Sequence, residues 1–185
     1  MERFTSFMMI GWFFLAIGGA NAADTPDSSK PQPLVAQDRT CKVVVPVGWT
    51  ERPLEKSGYI LRAWVPDSDS GATFCVLRIP KEDLAEDVTY LDRARRWVDG
   101  AAKSNALENA KITKGPTKYL INGRDAVKYE MEAVDSGSRF KIRFEFTVVD
   151  GKNAFFDLGT AHLPSEAAKR RQELDDLINS FEELP

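Results

Sequence analysis

The sequence predicts an α+β domain: a mostly antiparallel β-sheet with two main helices, in the order βββ-α-ββββ-α. Three observations carry this reading. Three short, β-branched apolar runs fill the stretch from Thr40 to Ile79. Two longer segments repeat their apolar residues every three or four positions, as one face of a helix requires. From Lys111 to Thr160, strand-like segments alternate with turns at Asn122-Gly123, Asp135–Ser138 and Asp150–Lys152. Strands grouped together, rather than strictly alternating with helices, point to antiparallel packing.

The elements follow in chain order. Met1-Glu2-Arg3 precedes an apolar run from Phe7 to Ile17, and Gly18, Gly19, Ala20, Asn21 and Ala22 come next. Ala20-x-Ala22 is the small-residue pattern that signal peptidase accepts, so residues 1–22 read as a secretory signal cleaved after Ala22 or Ala23. The run is shorter than the roughly 20 residues of a spanning helix, so no stable membrane insertion is expected after cleavage. The expected location is periplasmic or secreted. Residues 23–39 are rich in Pro, Ser and charge and read as a flexible leader. A single domain is then expected over residues 40–185.

Thr40–Pro46, Tyr59–Pro66 and Thr73–Ile79 are near-continuous apolar runs, which predicts strands covered on both faces. Val88–Ser104 reads as a helix with Leu91, Ala94, Val98, Ala101 and Ala102 on its apolar face. Asp92 with Arg96, and Arg95 with Asp99, are spaced to pair on its wet side. Lys111–Tyr119 is a weaker strand, followed by the Asn122-Gly123 turn. Asp125–Val134, Arg139–Val149 and Asn153–Thr160 are further strands. Glu166–Glu182 closes the chain as a helix with Leu174, Leu177, Ile178 and Phe181 on one face. Glu166 with Arg170, and Lys169 with Glu173, are spaced to pair on the other.

Two of these strands predict their own register. A tight loop within Asp135–Ser138 sets Glu132 opposite Lys141, Glu130 opposite Arg143 and Lys128 opposite Glu145. It also sets Met131 opposite Ile142, Tyr129 opposite Phe144 and Val127 opposite Phe146. Every charged pair is then opposite in sign, and every apolar pair lies on the other face. A three-residue loop at Asp150-Gly151-Lys152, with Gly151 left-handed, sets Phe146 opposite Phe156 and Phe144 opposite Leu158. The charged face, Lys128, Glu130, Glu132, Lys141, Arg143 and Glu145, is thereby the candidate docking surface.

Three short motifs resemble the PsbP-like fold superfamily. That superfamily includes the PsbP extrinsic subunits of photosystem II, bacterial DcrB-type exported proteins and a eukaryotic Ran-binding import factor. Val45-Pro46-Val47-Gly48-Trp49 is similar to the family's P-x-G-W end of strand one. Asn122-Gly123-Arg124-Asp125-Ala126 resembles its turn before a long hairpin, and Ile178-Asn179-Ser180-Phe181 its terminal helix. Their order and spacing cover Thr40 to Phe181. The resemblance implies an αβα-type sandwich, usually without catalysis, and supplies no ligand. The N-terminus departs from a plant pattern, being a simple secretory signal rather than a bipartite transit peptide.

Composition narrows the chemistry. The net charge is -3 with signs well mixed, and no basic stripe is present, so nucleic acid is not an expected partner. In an oxidising compartment the two cysteines, Cys41 and Cys75, are a candidate disulfide; two buried thiols is the other reading. A simple meander would hold their strands about 10 Å apart. That exceeds the roughly 7 Å a bridge tolerates between Cα atoms. His162 is the only histidine and reads as an exposed loop residue, and no nucleophile motif accompanies it. Asp67-Ser68-Asp69-Ser70-Gly71 resembles the start of a calcium loop, but Arg78 stands where the bidentate acid belongs. No metal or cofactor is expected. Trp49 and Trp64 could form a binding platform, although a strand-end Trp more often fills core. Two functions remain: a non-catalytic exported module that docks on a protein or envelope component, and a small secreted hydrolase using a carboxylate pair. A cleft holding two acids with raised pKa would favour the second.

Overall fold

The computed structural model describes residues 30–54, 58–66 and 72–185. The signal segment with Ala22 and Ala23, and the acidic turn 67–71, lie outside the described residues. The chain forms β1 (Gln32–Val35), β2 (Cys41–Val45), β3 (Thr50–Glu51), β4 (Leu61–Trp64), β5 (Thr73–Pro80) and α1 (Tyr90–Ala102). Then follow β6 (Leu107–Ile121), β7 (Arg124–Asp135), β8 (Lys141–Asp150), β9 (Ala154–His162), α2 (Ala167–Asn179) and β10 (Glu182–Glu183). One sheet has the order β3-β4-β5-β9-β8-β7-β6 and a smaller one the order β1-β2-β10. The strand pairs run antiparallel throughout. This is the α+β class expected, with a strand added at each end and the two-residue β3 inserted after the first expected strand. β1 lies within the stretch read as leader and pairs with β2 from Gln32 opposite Val45 to Val35 opposite Lys42. Its Leu34 packs on the core, which the surrounding Pro and charge obscure in sequence.

The large sheet has a core on each face. On one, Ala94, Trp97, Val98 and Ala101 of α1 pack against Tyr129, Met131, Phe144, Phe146 and Phe155. Trp97 meets Phe146 edge-on at 4.9 Å between ring centroids. On the other face, Leu174, Leu177, Ile178 and Phe181 join Val43, Val45 and Trp49 over Phe74, Val76, Phe156 and Leu158. α1 begins at Tyr90 rather than Val88 because Thr89 caps it. The Thr89 hydroxyl accepts from the Asp92 backbone N–H, and the Asp92 carboxylate accepts from the Thr89 N–H. Asp92 is thereby used in the cap, while Arg95 pairs with Asp99 at 2.7 Å as expected.

The Asn122-Gly123 turn forms as expected, with both residues left-handed (φ 48° and 77°). The two registers differ from expectation. β7 and β8 are offset by two residues: Glu132 faces Arg143, Glu130 faces Glu145, and Lys128 faces Thr147. The apolar rows become Met131 with Phe144, Tyr129 with Phe146 and Val127 with Val148. The cause is the turn. Asp135 accepts Ser138 N–H on its carboxylate and Arg139 N–H on its carbonyl, and Arg139 is left-handed (φ 64°). The loop therefore spans Ser136–Arg139, one residue later than expected. An offset of two keeps every side chain on its expected face.

The β8–β9 offset is odd and does exchange faces. Asp150 faces Phe155, Val149 faces Phe156, Thr147 faces Leu158 and Phe146 faces Gly159. The connection is Gly151–Ala154, and Gly151 is not left-handed as expected. A Cβ there would lie 2.7 Å from both the Ala154 carbonyl and the Phe156 ring, so close packing is what requires glycine. Phe156 and Leu158 thus lie under α2, and Asp157 lies under α1. Asp157 is fully buried and receives the Arg93 guanidinium, with Arg93 Nε donating to Oδ1 at 3.2 Å and Nη2 to Oδ2. Burial holds the Asp157 carboxyl above its ordinary range despite Arg93.

β6 is the sheet's long edge. It carries register shifts after Glu108, Ile112 and Lys114, a cis Gly115-Pro116 bond, and the lysines Lys111, Lys114 and Lys118. Such bulges, prolines and lysines deny the edge to another strand.

The Cys41–Cys75 bridge does not form; both are buried free thiols. Cys41 belongs to the small sheet, whereas a Cβ at Gly159 would meet Cys75 Sγ and Trp97 together, under α1. Burial pushes both thiols up to about 12. Denatured, unreduced protein should therefore titrate two thiols, and the native fold should shield both from a thiol reagent. Arg93→Met should lower stability by about 3–5 kcal/mol in urea unfolding, because Asp157 is left as an unpaired buried charge. Arg93→Met/Asp157→Leu should recover most of the loss.

Candidate functional site

Three rows of side chains cross the α2 side of the sheet near its polar end. Glu132, Arg143 and His162 form the first, Glu130, Glu145 and Thr160 the second, and Lys128, Thr147 and Leu158 the third. The six charges expected on one face are therefore together, although their partners are diagonal neighbours. Glu132 accepts Lys141 at 2.7 Å and Arg143 at 3.2 Å. Lys128 lies 3.3 Å from Glu145 and 3.6 Å from Asp175 of α2. Glu130 takes Lys114 of β6 at 3.4 Å. The face is only partly open: Lys141 is exposed, while the other five are half-buried.

α2 supplies a second ionic group beside these rows. Arg170 is buried and its Nη1 donates to Glu173 at 2.7 Å, with Glu166 3.8 Å from its Nε. Lys169 turns to Glu166 rather than to Glu173. The same Glu173 carboxylate accepts the Trp49 indole N–H at 3.2 Å, so Trp49 fills core and is no platform. Trp64 is half-buried with the Arg52 guanidinium 5.1 Å above its ring.

His162, expected as an exposed loop residue, is instead the last residue of β9, 3% exposed. It faces Arg143, not an orienting carboxylate. Burial chiefly, then Arg143, lowers its pKa to about 4, with Glu130 opposing. Such an imidazole is a poor general base at neutral pH. Burial also raises the Glu145 carboxyl, helped by Glu130 and resisted by Lys128. On Lys128, burial works against the charge, but Glu145 and Asp175 outweigh it and raise the pKa. Among the described residues, no group of three or more His, Cys, Asp and Glu is placed to hold a metal. None of their helices is long and apolar enough to cross a membrane.

The parts that sequence reading missed are the long-range ones. Asp175, Lys114 and Thr160 reach this face only through strand order and helix placement. A folded pKa below the unfolded value means that the unfolded chain binds the extra proton first. Stability should therefore fall as pH drops from about 6.5 towards about 4. His162→Gln should lose that part of the slope in urea unfolding between those pH values; an unchanged slope would show that other groups carry it.

No protein-family model matches the chain, and no curated protein does. Solved structures do match. Cyanobacterial PsbP (CyanoP) from Synechocystis sp. PCC 6803 aligns with a TM-score of 0.65 at 13% identity, covering 91% of this chain and 99% of that one. LpqN of Mycobacterium tuberculosis, described as involved in cell envelope biogenesis, aligns at 0.56 and 13% identity over 84% and 91%. PA94 of Pseudomonas aeruginosa, a putative regulator by its description, aligns at 0.54 and 13% over 84% and 99%. A chain from Bacteroides thetaiotaomicron VPI-5482 aligns at 0.56 and 12% identity over 85% of this chain, which spans about half (49%) of that one. At these identities what is shared is architecture: a helix on one sheet face and a helix with a small sheet on the other is the PsbP-like fold, and this chain has it.

Proposed function

We propose that the chain is a non-catalytic exported accessory protein, periplasmic or secreted, that docks on a protein or other envelope component. The docking face is the one carrying Lys128, Glu130, Glu132, Lys141, Arg143 and Glu145. One observation carries the proposal: these charges share one face and answer one another, and His162 beside them is buried with its pKa lowered to about 4, a poor general base. The fold supports it, because CyanoP and LpqN share the architecture and LpqN is described as involved in cell envelope biogenesis. At the open end, Lys141, Arg143 and Glu132 present a mixed-sign patch that suits a polar partner surface.

A second reading has one observation in its favour. Glu130 and Glu145 face each other across β7 and β8, and the Glu145 carboxyl is raised. Paired carboxylates of that kind serve glycosidases. Here each is held by its own lysine, Lys114 on Glu130 and Lys128 on Glu145, which disfavours an acid–base division of labour. A hydrolytic activity abolished by Glu145→Gln would establish that reading instead.

The docking proposal predicts the behaviour of one charge reversal. A partner cross-linked to the wild-type chain in envelope extract should be recovered at least about tenfold less with Arg143→Glu, as for a charge central to an interface. The variant should stay folded, because a partly exposed ion pair contributes only about 0.2–1 kcal/mol. Equal recovery of that partner would remove this face from consideration.

A further inference from the structure

The two ends of β8 carry complementary features. Just before the strand, the hairpin tip presents Arg139-Phe140-Lys141. Phe140 is 60% exposed, flanked by two cations whose side chains are 65% and 60% exposed and which each make one surface ion pair, Arg139 with Glu108 and Lys141 with Glu132. Its position is set by backbone bonds: Asp135 N–H donates to the Phe140 carbonyl at 2.9 Å, and Phe140 N–H donates to Ser138 Oγ at 3.3 Å. A closed turn thus holds an aromatic ring out in solvent, where its apolar area stays unburied.

Past the other end of β8 lies a cleft of about 460 Å³ beneath the chain entering α1. Leu84, Val88, Tyr90 and Phe155 give it an apolar lining. Lys81 and Asp150 also line it and are paired with each other at 2.6 Å; Lys81 further donates to the Gly151 carbonyl at 2.7 Å and lies over the face of Phe155 at 5.0 Å. The segment along one side is acidic. Glu86 lines the cleft, and Glu82, Asp83 and Asp87 adjoin lining residues in the chain. All four are exposed, and none has an ion-pair partner among the described residues. The volume falls within the roughly 300–1,000 Å³ of pockets that enclose a ligand group.

We propose that the occupant of this cleft is Phe140 of a second copy of the chain. An aromatic ring between two cations suits an apolar cleft beside unpaired carboxylates in polarity and in sign. The ring cannot reach the cleft of its own chain. β8 is a ten-residue strand between them, and at about 3.3 Å per residue it spans roughly 30 Å. The contact is therefore head-to-tail, and each copy keeps one free knob and one free cleft, so association continues in a row unless it closes as a ring.

Sedimentation velocity on the purified chain, from micromolar to millimolar concentration, tests this. The weight-average mass should rise with concentration and fall as salt is added. Phe140→Ser and Val88→Glu should each weaken association at least about tenfold. An equal mixture of those two variants should form dimers and nothing larger, because one supplies the intact knob and the other the intact cleft. Glu86→Lys/Asp87→Lys, in the exposed acidic segment, should weaken association while leaving the unfolding midpoint unchanged, which guards against a misfolded Val88 variant. A chain that stays monomeric throughout, or that associates regardless of these substitutions, overturns the proposal; so does a dimer from either single variant alone.

Discussion

Every residue of β9 is buried, from Ala154 to His162, and the rest of the architecture follows from that. A strand buried on both faces must lie inside its sheet and be covered above and below. β5 and β8 supply the neighbours, α1 one cover, and α2 with the small sheet the other. The strand also carries polar side chains into both interiors. Asp157 points to α1 and is met by Arg93; Thr160 and His162 point to the side of α2 and face Glu145 and Arg143. Only Asp157 has its partner built in, the Arg93 guanidinium, which offsets the cost of burying the carboxylate; Thr160 Oγ1 and His162 Nδ1 are buried without a hydrogen-bond partner among the described residues.

The places where sequence was legible share one property: a face in contact with water. β7 alternates cleanly because its charged side chains stay half-exposed, so the face of each residue from Val127 to Glu132 could be assigned. Both helices show one buried stripe, and Leu174, Leu177, Ile178 and Phe181 are buried as their spacing implied. β9 has no wet face, so its pattern says nothing about which residues share a side and fits an odd shift of register equally well. The β7–β8 offset was hidden for a different reason. Opposite charges two residues apart on neighbouring strands reach each other diagonally, so Glu132 satisfies both Lys141 and Arg143, and the sign pattern fits two registers. β1 was hidden by composition, because a four-residue strand needs only Leu34 to reach the core.

The charged face was legible in membership but not in meaning. Sequence placed six charges side by side; it could not show that α2 would lay Asp175 against Lys128 or that β6 would bring Lys114 to Glu130. Those additions turn a ladder of pairs into a network closed on three sides. Half-buried networks of this kind are screened by salt less than isolated surface pairs. They orient side chains more than they stabilise the fold.

The pairing of β5 with β9 has a consequence in time. Thr73 meets Ala161 and Pro80 meets Ala154, so residues some eighty positions apart must join before the sheet is continuous. β2 gains β1 early, but its other partner, β10, lies about 140 positions further along the chain, Glu182 meeting Lys42. A chain delivered from its N-terminus therefore cannot complete the large sheet until β9 has emerged. Contacts that distant also slow closure, because the loop between them must be gathered before any of them forms. Meanwhile Phe74, Cys75 and Val76 remain apolar and uncovered, which is the state that chaperones recognise. The order of assembly thus keeps the first half of the molecule pliable until its last strands arrive.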